Sequence, residues 1–221
     1  MFFDILKVGA VACFSPLQSV LTISIFTHML ANFGTEILAG FGIVARLEFL
    51  LTSVSFSFGI ASVPMIGMAI GANRIERARR IAWTAGLVSF ISVGAIATVV
   101  AIFPDLWVSI FTDDAAVRET SRQYLSTAAP MYAFIGLASS MYFSSQGAAK
   151  VVGPVMAQTA RLLFIAAGGW WLSTHNATAA NFFVLAAASM VVLGVLSCAS
   201  VILTRWGPKH DPLPKARPAL S

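Results

Sequence analysis

Polar side chains recur at helical spacing inside stretches of this chain that are otherwise apolar. Ser15, Gln18, Ser19 and Thr22 follow one another at i, i+3, i+4 and i+7, which places them on one face of a helix. Pro16 lies beside this face, where it removes a backbone donor and can kink the helix. The amide of Gln18 offers donors and acceptors that ordinary helix packing rarely needs, so this face is a candidate functional site.

Two further stripes of hydroxyls and glycines show the same spacing. One follows Glu48 along a second apolar run, and a weaker one begins at Tyr132. Small polar residues line ordinary helix contacts in membranes because they let backbones approach, but three such faces can also enclose a transport cavity. Both interpretations stay open. The candidate cavity-lining residues are Ser15, Gln18, Ser19, Thr22, Thr52, Ser55, Tyr132, Ser139 and Ser140.

Three charged residues also lie within apolar runs, namely Arg46, Glu48 and Arg161. By helical rise, Arg161 lies about 15 Å into its run and Glu48 about 16 Å into its own. Both positions correspond to the middle of a bilayer, where Glu48 and Arg161 could form a structural ion pair or a relay for protons or cations. If only the later part of the second run crosses the bilayer, Glu48 lies near the surface instead and the pair does not form.

The residues that usually carry enzymatic or metal chemistry are sparse. Cys13 and Cys198 form no CxxC pair, the three histidines are scattered, and Asp113 and Asp114 are adjacent in a polar connector. No nucleophile–base grouping and no phosphate-binding glycine loop is recognisable. The sequence therefore predicts a protein that is not an enzyme, with no cofactor and no metal site.

The composition indicates whether the surface of the protein faces water or lipid. Hydrophobic residues make up 58% of the 221 and charged residues 10%, and the mean hydropathy is +0.84. Soluble domains carry about 25% charged residues, so most of this surface must face lipid. Since a helix of about 20 apolar residues crosses a bilayer, we predict an all-α, multi-pass membrane protein with six spans. The six runs are Val8–Leu30, Ile37–Ile70, Ile81–Phe103, Tyr124–Phe143, Val151–Leu172 and Ala177–Leu203.

The predicted domain organisation is simple. Residues 1–205 form the six-helix unit, and 206–221, with four prolines, form a disordered tail. The second run holds too many residues for one straight span, so we expect it to be tilted, broken near Gly59 or Pro64, or partly interfacial. The long connector around Trp107 suits a helix lying flat at an interface.

Basic residues are concentrated in alternate connectors, which predicts the orientation. The segment RIERARR supplies Arg74, Arg77, Arg79 and Arg80 to the richer side, whereas Arg118 and Arg122 lie on the other side together with several acids. Positive residues stay cytoplasmic, so both termini and RIERARR are predicted to face the cytoplasm of a plasma (inner) membrane protein. We interpret these four arginines as a topology anchor that contacts anionic lipid headgroups, and not as a nucleic-acid site.

Several segments resemble the multidrug and toxic compound extrusion (MATE) transporters. GIVARLEFL leading into GIASVPMIGMAIGANRIERARR is similar to a family helix with an Arg-x-Glu segment, a GxxxGAN loop and a basic turn. FPDLWVSIFTDDAAV and SQGAAKVVGPVMAQTARLLF resemble later family segments, in the same order and at similar spacing. DILKVGAVACFSPLQS is similar to the opening of the family's second lobe.

The resemblance implies a fold and a function. Family members have twelve helices in two six-helix lobes and exchange organic cations or drugs for Na⁺ or H⁺. This chain resembles the carboxy-terminal lobe, so the expected partners are membrane lipid, small organic cations and a second lobe, either a homodimer partner or a separate amino-terminal half. A gene fragment, a truncated reading frame and a half-sized transporter all remain open.

One departure from the family bears on mechanism. Gln18 stands where some members carry a glutamate, and the fourth run lacks the aspartate that completes their cation site. The resemblance therefore implies that coupling to Na⁺ or H⁺, if present, rests on Glu48 or on an acid in the other lobe. The alternatives are a lipid-linked sugar flippase half, and a non-transporting membrane subunit or truncated gene product.

Overall fold

A computed structural model describes residues 2–175 and 177–207 of the chain, with side chains from Cys13 onward. Most of the predicted tail, residues 208–221, lies outside the described residues. Trp206, which the sequence analysis assigned to that tail, is instead buried against Ile66, Ala78 and Val201. The folded unit therefore extends past residue 205.

The described residues are almost entirely helical, which confirms the all-α fold. They form, in order, α1 (Phe2–Ala31), α2 (Thr35–Gly71), α3 (Ile75–Ile102), α4 (Asp105–Val108), α5 (Ala115–Ala128), a 3₁₀ turn (Ala129–Met131), α6 (Tyr132–Gly147), α7 (Val152–Thr174) and α8 (Ala179–Leu203).

Within the part of the chain that the structure describes, four helices are long and apolar enough to cross a membrane: α1 from Cys13, α2, α3 and α8. The remaining two predicted spans correspond to α6, which has 16 residues, and α7, which has 23. Gln158 and Arg161 lower the hydropathy of α7, and these polar residues face the interior of the protein. Six spans therefore remain a prediction, whereas a membrane protein with several apolar helices is established.

The second predicted run forms one uninterrupted helix. α2 contains 37 residues and passes Gly59 and Pro64 without a break. At 1.5 Å per residue it is about 55 Å long, well beyond the ~30 Å hydrocarbon core. Of the three alternatives predicted for this run, the structure excludes a broken helix, and a tilted or partly interfacial helix remains.

The fourth predicted run, by contrast, is divided. Pro130 lies in the 3₁₀ turn between α5 and α6, because proline lacks the N–H group that a continuous α-helix would require there. The connector before α5 contains only the short helix α4, and Trp107 in α4 donates a hydrogen bond from Nε1 to the Ile43 carbonyl at 3.1 Å. The indole thus attaches the connector to α2.

The helices pack in two groups that meet at the centre. α2, α3 and α6 are mutually packed, α7 packs on both α1 and α8, and α6 also contacts α8. Small residues allow close approach: a Cβ added to Gly147 would lie 2.7 Å from the Val63 carbonyl oxygen, so α6 and α2 touch through their backbones. By contrast, α1 contacts α2 only sparsely, which leaves a space between the two groups.

Candidate functional site

A cavity of about 470 Å³ occupies this space between the two helix groups. Five helices line it: α1, α2, α6, α7 and α8. Phe41, Phe49, Phe56 and Tyr142 supply aromatic surface, so most of the wall is apolar. Cavities of this size and character bind small organic molecules when a few polar groups are suitably placed.

The charged groups of the cavity are Glu48 and Arg161. Glu48 comes from α2 and Arg161 from α7, and the distance from Glu48 Oε1 to Arg161 Nη2 is 4.0 Å. Their side chains are 18% and 10% exposed, respectively. At this separation the two groups attract each other electrostatically but do not share a short hydrogen bond, so the carboxylate can accept another cationic partner.

Residues of α6 and α8 contact the ion pair of Glu48 and Arg161. Arg161 Nε donates to the Ser189 hydroxyl on α8 at 3.4 Å, and Ser189 in turn donates to the Ala186 carbonyl. Tyr132 is buried, and its side chain lies beside those of Glu48 and Tyr124. The phenol is therefore a polar neighbour of the carboxylate on the α6 side.

Four of the candidate hydroxyls line the cavity and the other candidates lie behind its wall. The lining residues are Ser15, Ser19, Thr52 and Ser139. Thr22 donates to the Gln18 carbonyl of its own helix, and Ser140 is fully buried. Ser55 shares the Gly136 carbonyl with Ser89, joining α2, α3 and α6. Ser55 therefore links three helices, whereas the hydrogen bond of Thr22 stays within α1.

Gln18 faces α7 and not the cavity. Its Nε2 donates to the Thr159 hydroxyl, while its Oε1 is buried and has no partner among the described residues. The side chain is 2% exposed. Gln18 therefore joins α1 to α7 and leaves one acceptor unsatisfied.

The remaining charged candidates lie at the surface. Arg46 is exposed and places its guanidinium 4.9 Å from the centre of the Phe111 ring, a cation–π contact. Arg74, Arg77 and Arg80 are exposed at the start of α3, whereas Arg79 donates to the Thr204 carbonyl at the end of α8 at 3.0 Å. Arg46 is thus separate from the cavity.

The comparison with known families identifies the chain. The MatE family model, that of the multidrug and toxic compound extrusion transporters, matches residues 12–171. The chain belongs to the MATE family. No curated protein matches it. The match spans α1 to α7 and includes both Glu48 and Arg161, so the cavity belongs to a membrane transporter of this family.

Sequence reasoning missed four polar residues that line this MATE cavity, namely Ser53, Tyr142, Ser197 and Gln158. Gln158 lines the wall and donates from Nε2 to the Ser19 hydroxyl at 2.6 Å. It stands three residues before Arg161, so both lie on one face of α7. That spacing, in an otherwise apolar helix, was the signal that could have identified it.

The groups that could hold an ion are few. Among the described residues, no three His, Cys, Asp or Glu side chains lie close enough together to bind a metal ion. Glu48 supplies the carboxylate of the cavity lining, and Thr52 and Ser139 add neutral hydroxyl oxygens to the same lining. A monovalent cation or a proton could be held by this carboxylate with neutral oxygens around it.

Proposed function

We propose that this chain is the carboxy-terminal lobe of a MATE-type antiporter that expels organic cations in exchange for Na⁺ or H⁺. It would act in the plasma membrane with six spans and both termini in the cytoplasm. The family match supports transport, and the distribution of lysine and arginine between connectors supports the orientation. Accessibility of single cysteines placed at Glu76 and at Asp113 is the measurement that decides the orientation.

The observation that carries the proposal is the carboxylate in an aromatic cavity. An organic cation combines apolar surface with delocalised positive charge. Phe49 and Phe56 supply aromatic lining for such a molecule, and the Glu48 carboxylate supplies the counter-charge. Because the pair with Arg161 is loose, a bound cation can approach Glu48 without first breaking a short hydrogen bond.

Exchange follows if the drug and the coupling ion compete for one carboxylate. A proton or Na⁺ on Glu48 removes the negative charge that attracts the organic cation, so binding of one releases the other. Gln18 cannot perform this function because it is neutral and faces Thr159. We therefore assign coupling in this lobe to Glu48.

Binding of a lipophilic cation by the purified protein tests the role of the cavity. We expect Ser139→Phe to fill the space beside Thr52 and to weaken binding of ethidium at least roughly tenfold, since a ring cannot share the cavity with the ligand. Fluorescence titration in detergent measures the affinity. Ser126→Phe, an identical change at an exposed position of α5, is the control and should leave the affinity unchanged. Unaltered binding by the Ser139→Phe variant would disprove the cavity assignment.

The proposal also requires a second lobe. Alternating access depends on two walls that rock against each other, and one lobe supplies only one of them. We therefore expect no dye uptake by proteoliposomes that contain the chain as a monomer verified by light scattering. Uptake should require a homodimer or a separate amino-terminal half. Transport by the verified monomer would refute the need for a second lobe while leaving the cavity assignment intact.

A further inference from the structure

A second concave site lies on the outer surface of the bundle, away from the central cavity. It is a groove of about 640 Å³ between α2 and α3. One end of the groove carries charged residues, and the remainder is formed mainly by apolar side chains. The lining residues are Phe58, Ala61, Ser62, Met65, Glu76, Arg77, Arg80, Ile81, Thr84, Ala85 and Val88.

Two arginines at the charged end are available to a ligand. Arg77 and Arg80 are exposed, and neither forms an ion pair with another described residue. Glu76 lies at the same rim, so the charged end carries two positive groups and one negative group. The neighbouring Arg79 differs because it is engaged with the Thr204 carbonyl. A free pair of guanidinium groups is a binding arrangement for a phosphate.

The apolar part of the groove has the length of one lipid leaflet. Arg77 and Val88 are separated by eleven residues of one helix, or about 16 Å. Half of the hydrocarbon core is about 15 Å thick. If Val88 lies near the bilayer centre, the charged end of the groove is therefore at the depth of the lipid headgroups. Phe58 and Met65 on α2 belong to the opposite wall of the groove.

We infer that this groove is a binding site for one anionic phospholipid. The phosphate lies between the Arg77 and Arg80 guanidinium groups, and an acyl chain lies along Met65, Ala85 and Val88. An anionic lipid is favoured over a zwitterionic one because the rim has an excess of positive charge that a choline group would oppose. This inference requires that α2 and α3 cross a bilayer, and it is independent of the proposed exchange of cations.

Native mass spectrometry of the detergent-solubilised full chain tests the headgroup contact. Phosphatidylglycerol is expected to remain bound at higher occupancy than phosphatidylcholine with the same acyl chains. The double variant Arg77→Gln/Arg80→Gln should lose roughly tenfold or more of the affinity for phosphatidylglycerol. Lys150→Gln/Arg205→Gln removes the same charge outside the groove and should change the affinity less than about twofold. Equal losses in the two double variants would overturn the site in favour of a diffuse charge effect.

The acyl chain requires a separate variant. Ala85→Phe fills the groove and is expected to lower the occupancy of phosphatidylglycerol and of phosphatidylcholine alike, whereas Ala95→Phe, on exposed surface of the same helix outside the groove, should lower neither. Excess inorganic phosphate should not displace the lipid, since most of the contact is apolar. Displacement by phosphate, or retention of lipid by Ala85→Phe, would reduce the site to a surface patch for anions and refute a lipid groove.

Discussion

Replacing Arg161 by methionine is expected to lower the free energy of unfolding by about 2–3 kcal/mol. Methionine matches the length of the arginine stem but removes the positive group that lies 4.0 Å from the Glu48 carboxylate. Losing one partner of a buried pair costs roughly 3–5 kcal/mol when the remaining charge is dry. The expected loss is smaller here because the cavity can admit water to the carboxylate, whose side chain is 18% exposed.

Unfolding of the detergent-solubilised protein in a denaturant measures this effect. The matched control is Arg46→Met, which removes an exposed guanidinium stacked on Phe111 and should cost only about 0.5–1 kcal/mol. The double variant Glu48→Gln/Arg161→Met should recover most of the lost stability, because it leaves no unpaired charge. If Arg161→Met and Arg46→Met cost the same, Arg161 is not stabilised by Glu48.

Replacing Glu48 by glutamine is expected to weaken binding of an organic cation roughly tenfold to a hundredfold. The amide keeps the size of the side chain but removes the negative charge of the cavity wall. The remaining Arg161 guanidinium then opposes a cationic ligand, which adds to the loss. The same change should abolish competition by Na⁺ and protons, because these ions compete for the carboxylate in the proposed exchange.

Titration of ethidium at several Na⁺ concentrations separates these two effects. Glu36→Gln is the control, since it removes an exposed carboxylate at the start of the same helix and should leave both affinity and competition unchanged. Thermal stability must be measured in parallel, so that only folded protein is compared. If Na⁺ still competes with ethidium in the Glu48→Gln variant, the coupling site is not Glu48. If the variant binds ethidium as tightly as the unchanged protein, the cavity is not the cation-binding site.

The sequence identified Glu48 and Arg161 as an ion-pair candidate but could not decide whether they meet. They are separated by 113 positions along the chain, and hydrophobic periodicity describes one helix at a time. The structure brings them together because α2 and α7 face the same cavity. Helical rise suggested comparable depths, but the neighbour of each side chain depends on how the helices are arranged around each other.

The hydroxyl stripes also show that spacing along one helix does not identify the neighbour of each side chain. Ser15, Gln18, Ser19 and Thr22 share one face of α1, yet Ser15 and Ser19 reach the cavity while Gln18 contacts Thr159 on α7. A face of a helix is wide enough to touch both a neighbouring helix and a cavity. Spacing alone cannot divide such a face, because the division is made by the positions of the neighbours.

The sequence by itself determined the helical membrane class and the family resemblance, because composition, apolar run length and motif order are local properties of the chain. The continuity of α2 through Pro64 and the break at Pro130 were decided by the folded structure. A proline is tolerated or not according to the packing around the backbone groups that it leaves unpaired. The cavity was likewise a result of tertiary structure alone, since a space between five helices exists only when all five are packed.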